Sequence, residues 1–243
     1  MNRVELEPAF VLHNRAYRET SLIVEVFGRD TGRLGLVAKG ARRPKSAQRG
    51  MLQPFHPLLL SWSGSGDLGL LTGTESDGYA RPLLGKALFS GLYMNELLMR
   101  LMHRHDPHRE LFYHYGAAIE ALGLGQRSDG VLRIFEKQML ESIGYGLVLD
   151  HDIDSGEPIQ KDGAYRYQTD RGPSSAGEGD GDGEGVPVAG ETLLCLARES
   201  LESEPVLDEA KRLMRVVLRR YLGDKPLATR SLFRARAGSS RLG

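Results

Sequence analysis

The 243 residues contain one cysteine and one tryptophan, and no stretch approaches the roughly 18 consecutive apolar residues of a membrane-spanning helix. The lone Cys195 excludes an internal disulfide and any CxxC zinc site, and fits a reducing compartment. It lies within "ETLLCLARES", which reads as an amphipathic helix with a packing thiol and no base to activate it. The opening residues show no apolar run behind a basic lead, so the expectation is a soluble, cytoplasmic protein. Net charge is also lacking: 32 basic and 32 acidic residues cancel.

That neutrality hides segregation. From Arg29 to Arg49 the cations are Arg29, Arg33, Lys39, Arg42, Arg43, Lys45 and Arg49, opposed only by Asp30; from Lys211 onward ten cations face only Asp224. Acid collects elsewhere, notably in "GEGDGDGEG" at 177–185. Such asymmetry points to an anionic polymer or a membrane surface as partner.

Apolar patterning divides the chain. Through residue 76 it is β-like: "AFVLHN" (9–14), "SLIVEVF" (21–27), "RLGLVAK" (33–39), "LQPFHPLLLSW" (52–62) and "DLGLLTGTES" (67–76), with turns at "GRDTGR" and "SGSG". Five short strands in this length fit a small Greek-key barrel of the OB type. Pro54 and Pro57 predict that the fourth strand is broken or lies at an edge. After Pro82 the period becomes helical, over 86–102, 109–123, 130–144, 190–200 and 207–222, with a short last helix at "ATRSLFRAR". Asp129 or Ser128 is the expected cap of the third helix and Gly144 its stop; Val206, Leu213, Val216, Val217, Leu218 and Leu222 are expected to face inward from the last long one. Residues 145–190 read as irregular with short extended pieces, and the acidic glycine repeat as disordered, having nothing to bury. The expected fold class is therefore α+β: an OB-type barrel over 1–80, then a mainly α-helical domain over 81–243.

Three motifs fall short of their chemistry. "GSGDLG" (64–69) matches GxGxxG but continues as a strand, so it reads as a hairpin and not a dinucleotide site. "DHDIDSGEPIQK" starts like a calcium loop from Asp150, but its sixth position is Ser155 and its twelfth Lys161. "HRHDPHRE" (103–110) gathers His103, His105, Asp106 and His108 at a spacing that scatters ligands over different faces. No arrangement of nucleophile and base accompanies them, so neither an enzyme nor a bound cofactor or metal is expected.

The segment "KGARRPKSAQRG" (39–50) differs in kind, with five cations and no acid between two apolar runs. Such a run is often only a solvated face. Within an OB barrel, however, Lys39, Arg42, Arg43, Lys45 and Arg49 are placed to follow a phosphate backbone without reading bases. Gly40 and Gly50 are expected to let the loop move, and Pro44 to hold its cations extended. Tyr17, Phe27, Phe55 and Trp62 are aromatic residues of the same barrel, available for base stacking or for its core.

Together "AFVLHNRAYRETSLIVEVFGRDTGRLGLVAKGARR", "LQPFHPLLLSW", "SGLYMNELLMRL", "GYGLVLD" and "YLGDKPLATRSLFR" resemble the RecO family of bacterial DNA repair and recombination mediators over nearly the whole chain. The resemblance implies a non-enzymatic protein that binds single- and double-stranded DNA, anneals complementary strands and, with RecR, helps RecA displace single-strand-binding protein (SSB). "VAKGARR" matches the family's basic block, so Lys39, Arg42 and Arg43 inherit DNA contact; Arg15, Arg18, Arg33, Lys45 and Arg49 extend the set. Some members carry a four-cysteine zinc site in the region of 145–170; no cysteine stands there, and zinc is not carried over. The family also engages the acidic, phenylalanine-ending tail of SSB, a ligand that requires a cation beside an apolar pocket. Arg133, with Phe135, Leu132 and Leu140, is the set expected to meet it. From the residues alone, an RNA-binding OB protein of translation or RNA processing stays open, as does a metal-dependent enzyme built on the histidine cluster.

Overall fold

The computed structural model describes residues 3–64, 66, 68–79, 81–176 and 185–229. The class is α+β, with a closed five-stranded barrel ahead of a helical region. The barrel comprises β1 (Arg3–Tyr17), β2 (Ser21–Gly28), β3 (Gly32–Ala38), a single helical turn α1 (Gln48–Met51), β4 (Pro57–Ser63) and β5 (Leu68–Ser76). Its order is β1-β2-β3-β5-β4, with β4 returning to β1 and β3 running parallel to β5, which leaves no strand edge free for pairing with another chain. For the sheet to close, β1 must pair with β4 at one end of the order as well as with β2. β1 does so because its register shifts at Val4/Glu7 and Val11/His13 bend it. Alternation then sends Val11, Val24, Val26, Leu36 and Leu60 inward, all without exposure. β4 starts at Pro57, where a missing N–H costs least, and pairs on both sides; proline shortens the strand without making it an edge. Gly32 closes the β2–β3 hairpin at φ 69°, and the carbonyl of Asp106 occupies the space a Cβ would need.

Two helices follow, α2 (Gly85–Leu101) and α3 (Arg109–Gly123). Phe10 of β1 packs on Phe112 and Tyr115 at ring-centroid distances of 5.2 and 5.0 Å, and Phe27 of β2 meets the same two rings at 5.6 and 6.4 Å. A buried polar link runs beside them. Asn95 Nδ2 donates to the Leu12 carbonyl (2.7 Å), and the Tyr115 hydroxyl donates to Asn95 Oδ1 (2.6 Å). Glu96 accepts from the backbone N–H groups of Ala228 and Thr229 and from the Thr229 hydroxyl. Accordingly α2, α3 and residues 227–229 belong to one compact unit with the barrel, whose chain runs to residue 126, while residues 127–226 form another. Compactness thus divides the chain elsewhere than the change from strand to helix near residue 80.

The second unit holds α4 (Ser128–Ser142), β6 (Ala164–Gln168), β7 (Gly172–Ser175), β8 (Val186–Ala189), α5 (Gly190–Ala197) and α6 (Glu204–Leu222). No side chain caps α4; Asp129 lies in its first turn and meets Lys211 at 3.6 Å. Gly144 does stop it, at φ 87°. The Tyr145 and Gly144 N–H groups return to the Leu140 and Glu141 carbonyls in a Schellman motif. The region read as irregular contains an antiparallel sheet ordered β7-β6-β8. Strands of four and five residues pairing across a long connection leave too short a pattern to be legible. The acidic glycine repeat at 177–184 and the last predicted helix beyond residue 229 lie outside the described residues.

Asp152, the third position of the calcium-like loop, is buried and accepts from the Ser175 hydroxyl (2.5 Å) and from the N–H groups of Ser175, Asp154 and Ser155. The Ser175 hydroxyl above all, and then those backbone donors, hold its carboxyl well below the usual carboxylate range. A depressed folded-state value means stability that is complete above the unfolded value of about 3.9 and drains as pH falls below it. Asp152→Asn, with one acceptor oxygen in place of two, is expected to cost about 1–3 kcal/mol at neutral pH and to flatten the acid limb of stability. Denaturant melts of both proteins from neutral to acidic pH check this; parallel curves would show that Asp152 is not the group responsible.

Candidate nucleic-acid interface

The basic loop leaves β3 at Ala38 and is fixed at both ends by burial, since Ala41 and Leu52 are without exposure in the barrel core. Between them the backbone closes successive turns. Arg43 N–H donates to the Gly40 carbonyl (3.0 Å), Ser46 N–H to that of Arg43 (3.0 Å) and Arg49 N–H to that of Ser46 (3.2 Å), the last leading into α1. Gly40 takes φ 72°, which permits the first of these turns. The expectation of an extended run is therefore corrected to a chain of turns. Pro44 sits inside a turn, where its fixed φ is equally at home.

This folding gathers charge. Arg42 N–H donates to the Thr20 carbonyl (2.8 Å), and its Nη1 reaches the carbonyls of Arg18 and Glu19 (both 3.2 Å), so the loop is tied to the β1–β2 turn. In register, Arg15 stands opposite Ile23, which stands opposite Val37, two residues before Lys39. Arg15, Arg18, Lys39, Arg42 and Arg43 thus share one end of the barrel, with Lys45 and Arg49 farther along the loop. Arg18, at φ 52°, sets its guanidinium 5.2 Å from the centre of the Tyr17 ring. Tyr17 is half-buried, whereas Phe27, Phe55 and Trp62 are core, which leaves one of the four aromatics within reach of a base.

All seven of these cations are exposed, and among the described residues none has a carboxylate within ion-pair distance. Other arginines of the same compact unit behave otherwise. Arg29 and Arg109 both reach Asp30, at 2.7 and 2.6 Å, and Arg29 foremost holds that carboxyl below its ordinary value. Arg33, expected among the DNA contacts, belongs to this second group. Its Nε pairs with Glu25 (2.8 Å), and its Nη1 donates to the Met99 and Met102 carbonyls, so its guanidinium joins β3 to the end of α2. It is withdrawn from the exposed set.

The patch expected for the SSB tail is corrected as well. Arg133 is buried and donates to Glu136 Oε1 (2.6 Å), and Phe135 and Leu140 have no exposure, so this face of α4 is interior. A helix of period 3.6 with apolar neighbours at 132, 135, 139 and 140 turns residue 133 inward too, where a buried glutamate neutralises it. His103, His105 and Asp106 are exposed, and among the described residues no three histidine, cysteine or acidic side chains are grouped to hold a metal ion. No described helix is long and apolar enough to cross a membrane.

A closed barrel of this strand order, with a cationic loop at one end beside a half-exposed aromatic residue, defines an OB-type module. The family "Recombination protein O N terminal" matches residues 1–78 and "Recombination protein O C terminal" residues 85–231. The chain is 47% identical over 229 residues to a DNA repair protein RecO of Azoarcus sp. (strain BH72), covering 94% of each chain. It is also 47% identical over 240 residues to that of Alkalilimnicola ehrlichii, covering 99% of this chain and 95% of the relative. With that of Coxiella burnetii it shares 46% over 230 residues, covering 95% and 98%. The chain belongs to the RecO family, and its role lies in DNA repair and recombination.

Proposed function

We propose that this chain is a non-enzymatic recombination mediator of the cytoplasm, acting at the nucleoid during repair. It binds single- and double-stranded DNA through Lys39, Arg42, Arg43, Lys45 and Arg49, with Arg15 and Arg18 beside them, and anneals complementary strands. With RecR, and in contact with the SSB tail, it helps RecA load onto SSB-coated single strands. The observation that carries the reading is the set of exposed, unpaired cations on an otherwise charge-balanced protein. Grouped like charges repel one another in the free protein, and a polyanion relieves that repulsion. Binding releases counterions from the nucleic acid, a driving force that reads no sequence.

Annealing requires no nucleotide hydrolysis, because base pairing itself releases free energy. The protein's task is to screen the repulsion between two phosphate chains while leaving bases free. The test is annealing of complementary DNA oligonucleotides by the chain alone, without nucleotide or metal. Pairing faster than the spontaneous rate, suppressed by added salt, is the expected result; a rate equal to the spontaneous one overturns it. Repeating the assay with RNA strands separates the RNA-binding reading, which demands a preference for the 2′-hydroxyl.

A further inference from the structure

The exposed face of α6 carries a second cation set. With 3.6 residues per turn, Arg212, Arg215, Val216, Arg219 and Arg220 fall on one stripe, all exposed, opposite the buried row of Leu213, Met214, Val217 and Leu218. Val216, expected to face inward, is 43% exposed between these arginines. Among the described residues Arg212 and Arg220 make only long ion-pair contacts, to Glu209 (3.5 Å) and Asp170 (3.4 Å), and both remain largely exposed. Among the described residues Arg215 and Arg219 have no carboxylate partner.

Cations in the last turn of a helix are explained by its free carbonyls, an effect confined to that turn. This accounts for Arg219 and Arg220 but not for Arg212 and Arg215, which lie two to three turns from Leu222. Like charges spaced by three and four residues weaken a helix, so the stripe is kept at a cost to the free protein. Four arginines without a lysine among them favour planar, two-pronged contacts to phosphate oxygens. At about 1.5 Å per residue they extend over ~12 Å, the length of about three or four phosphates of one strand at ~3.4 Å each.

We propose that Arg212, Arg215, Arg219 and Arg220 form a second phosphate-backbone track, which holds one DNA strand while the barrel loop holds another. The inference rests on the reading of the chain as a strand-annealing protein and assigns the second strand to a site of its own. The stripe belongs to the second compact unit and the loop to the first, so each can be removed alone.

The experiment uses the full chain with two non-complementary DNA oligonucleotides, one carrying a fluorescence donor and the other an acceptor, so that energy transfer reports co-capture without pairing. Arg215→Glu/Arg219→Glu is expected to abolish energy transfer and slow annealing by about tenfold, while affinity for a single added strand stays within about twofold. The salt dependence of the second binding event should lose about 1.4 in slope, about 0.7 for each lost phosphate contact. Arg215→Lys/Arg219→Lys keeps the charge but gives up the two-pronged contacts, so co-capture should weaken and yet survive. Unchanged energy transfer in the glutamate variant would overturn the proposal. So would loss of binding to an acidic peptide with both strands retained, which would make the stripe a protein-docking face. Reversing the barrel loop is a separate control. If that variant keeps its single-strand affinity while the α6 variant loses it, the loop reading falls and the track on α6 stands.

Discussion

Reversal of Lys39, Arg42 and Arg43 to glutamate is expected to lower single-strand affinity by on the order of a hundredfold at ~0.1 M salt. Each phosphate contact contributes about 0.7 to the slope of log affinity against log salt, so at ~0.1 M it is worth roughly a factor of five, and three are worth ~100. The slope itself should fall by about 2, and annealing should be lost with it. Salt-titrated fluorescence anisotropy with a labelled oligonucleotide reads both numbers. Arg42 needs separate treatment, because its Nη1 also holds the carbonyls of Arg18 and Glu19 and its loss frees the β1–β2 turn. Lys39→Glu/Arg43→Glu/Lys45→Glu leaves that tie in place and should give a loss of similar size. Unchanged affinity and slope in both variants would show that the loop is not the binding site.

Phe27→Ala removes a ring without exposure that packs edge-on against Phe112 and Tyr115. The expected cost is about 3–5 kcal/mol, from lost burial together with a cavity that neighbouring rings cannot fill. For a chain of this length the melting temperature should drop on the order of 10 °C. Below the transition, DNA affinity should be unchanged, because Phe27 lies in the core and not on the cationic end. Calorimetry with binding measured in parallel separates the two effects. A loss under about 1 kcal/mol would show that the four rings are not a tightly packed core.

Strand and helix positions were legible because burial repeats with period 2 or 3.6. Val24 and Val26 alternate with half-buried Ile23 and Glu25, and α6 buries residues three and four apart. The sheet of β6, β7 and β8 was not legible, since its strands are shorter than one clear alternation and pair across the chain. The cation-rich loop could be found from composition. Which cations are available could not, because Arg33 and Arg42 are both arginines of one basic stretch, and only packing brings Glu25 beside the first and backbone carbonyls beside the second. Arg133 was misplaced for a related reason. Its partner Glu136 lies one turn ahead on the same helix, where a surface pair and a buried pair look identical in sequence.

By itself the sequence determined the α+β order, the five barrel strands, the separation of charge, and a family resemblance carried by ordered blocks along the chain. These are properties of local periodicity and residue type, which need no knowledge of neighbours in space. Only the tertiary structure decided that the loop is a chain of turns pinned by Ala41 and Leu52, that Arg33 and Arg133 are spent inside, and that β1 closes the barrel. Burial and pairing depend on which residues meet across tens of positions of chain. A charge is offered to a ligand only where the fold has left it without a partner.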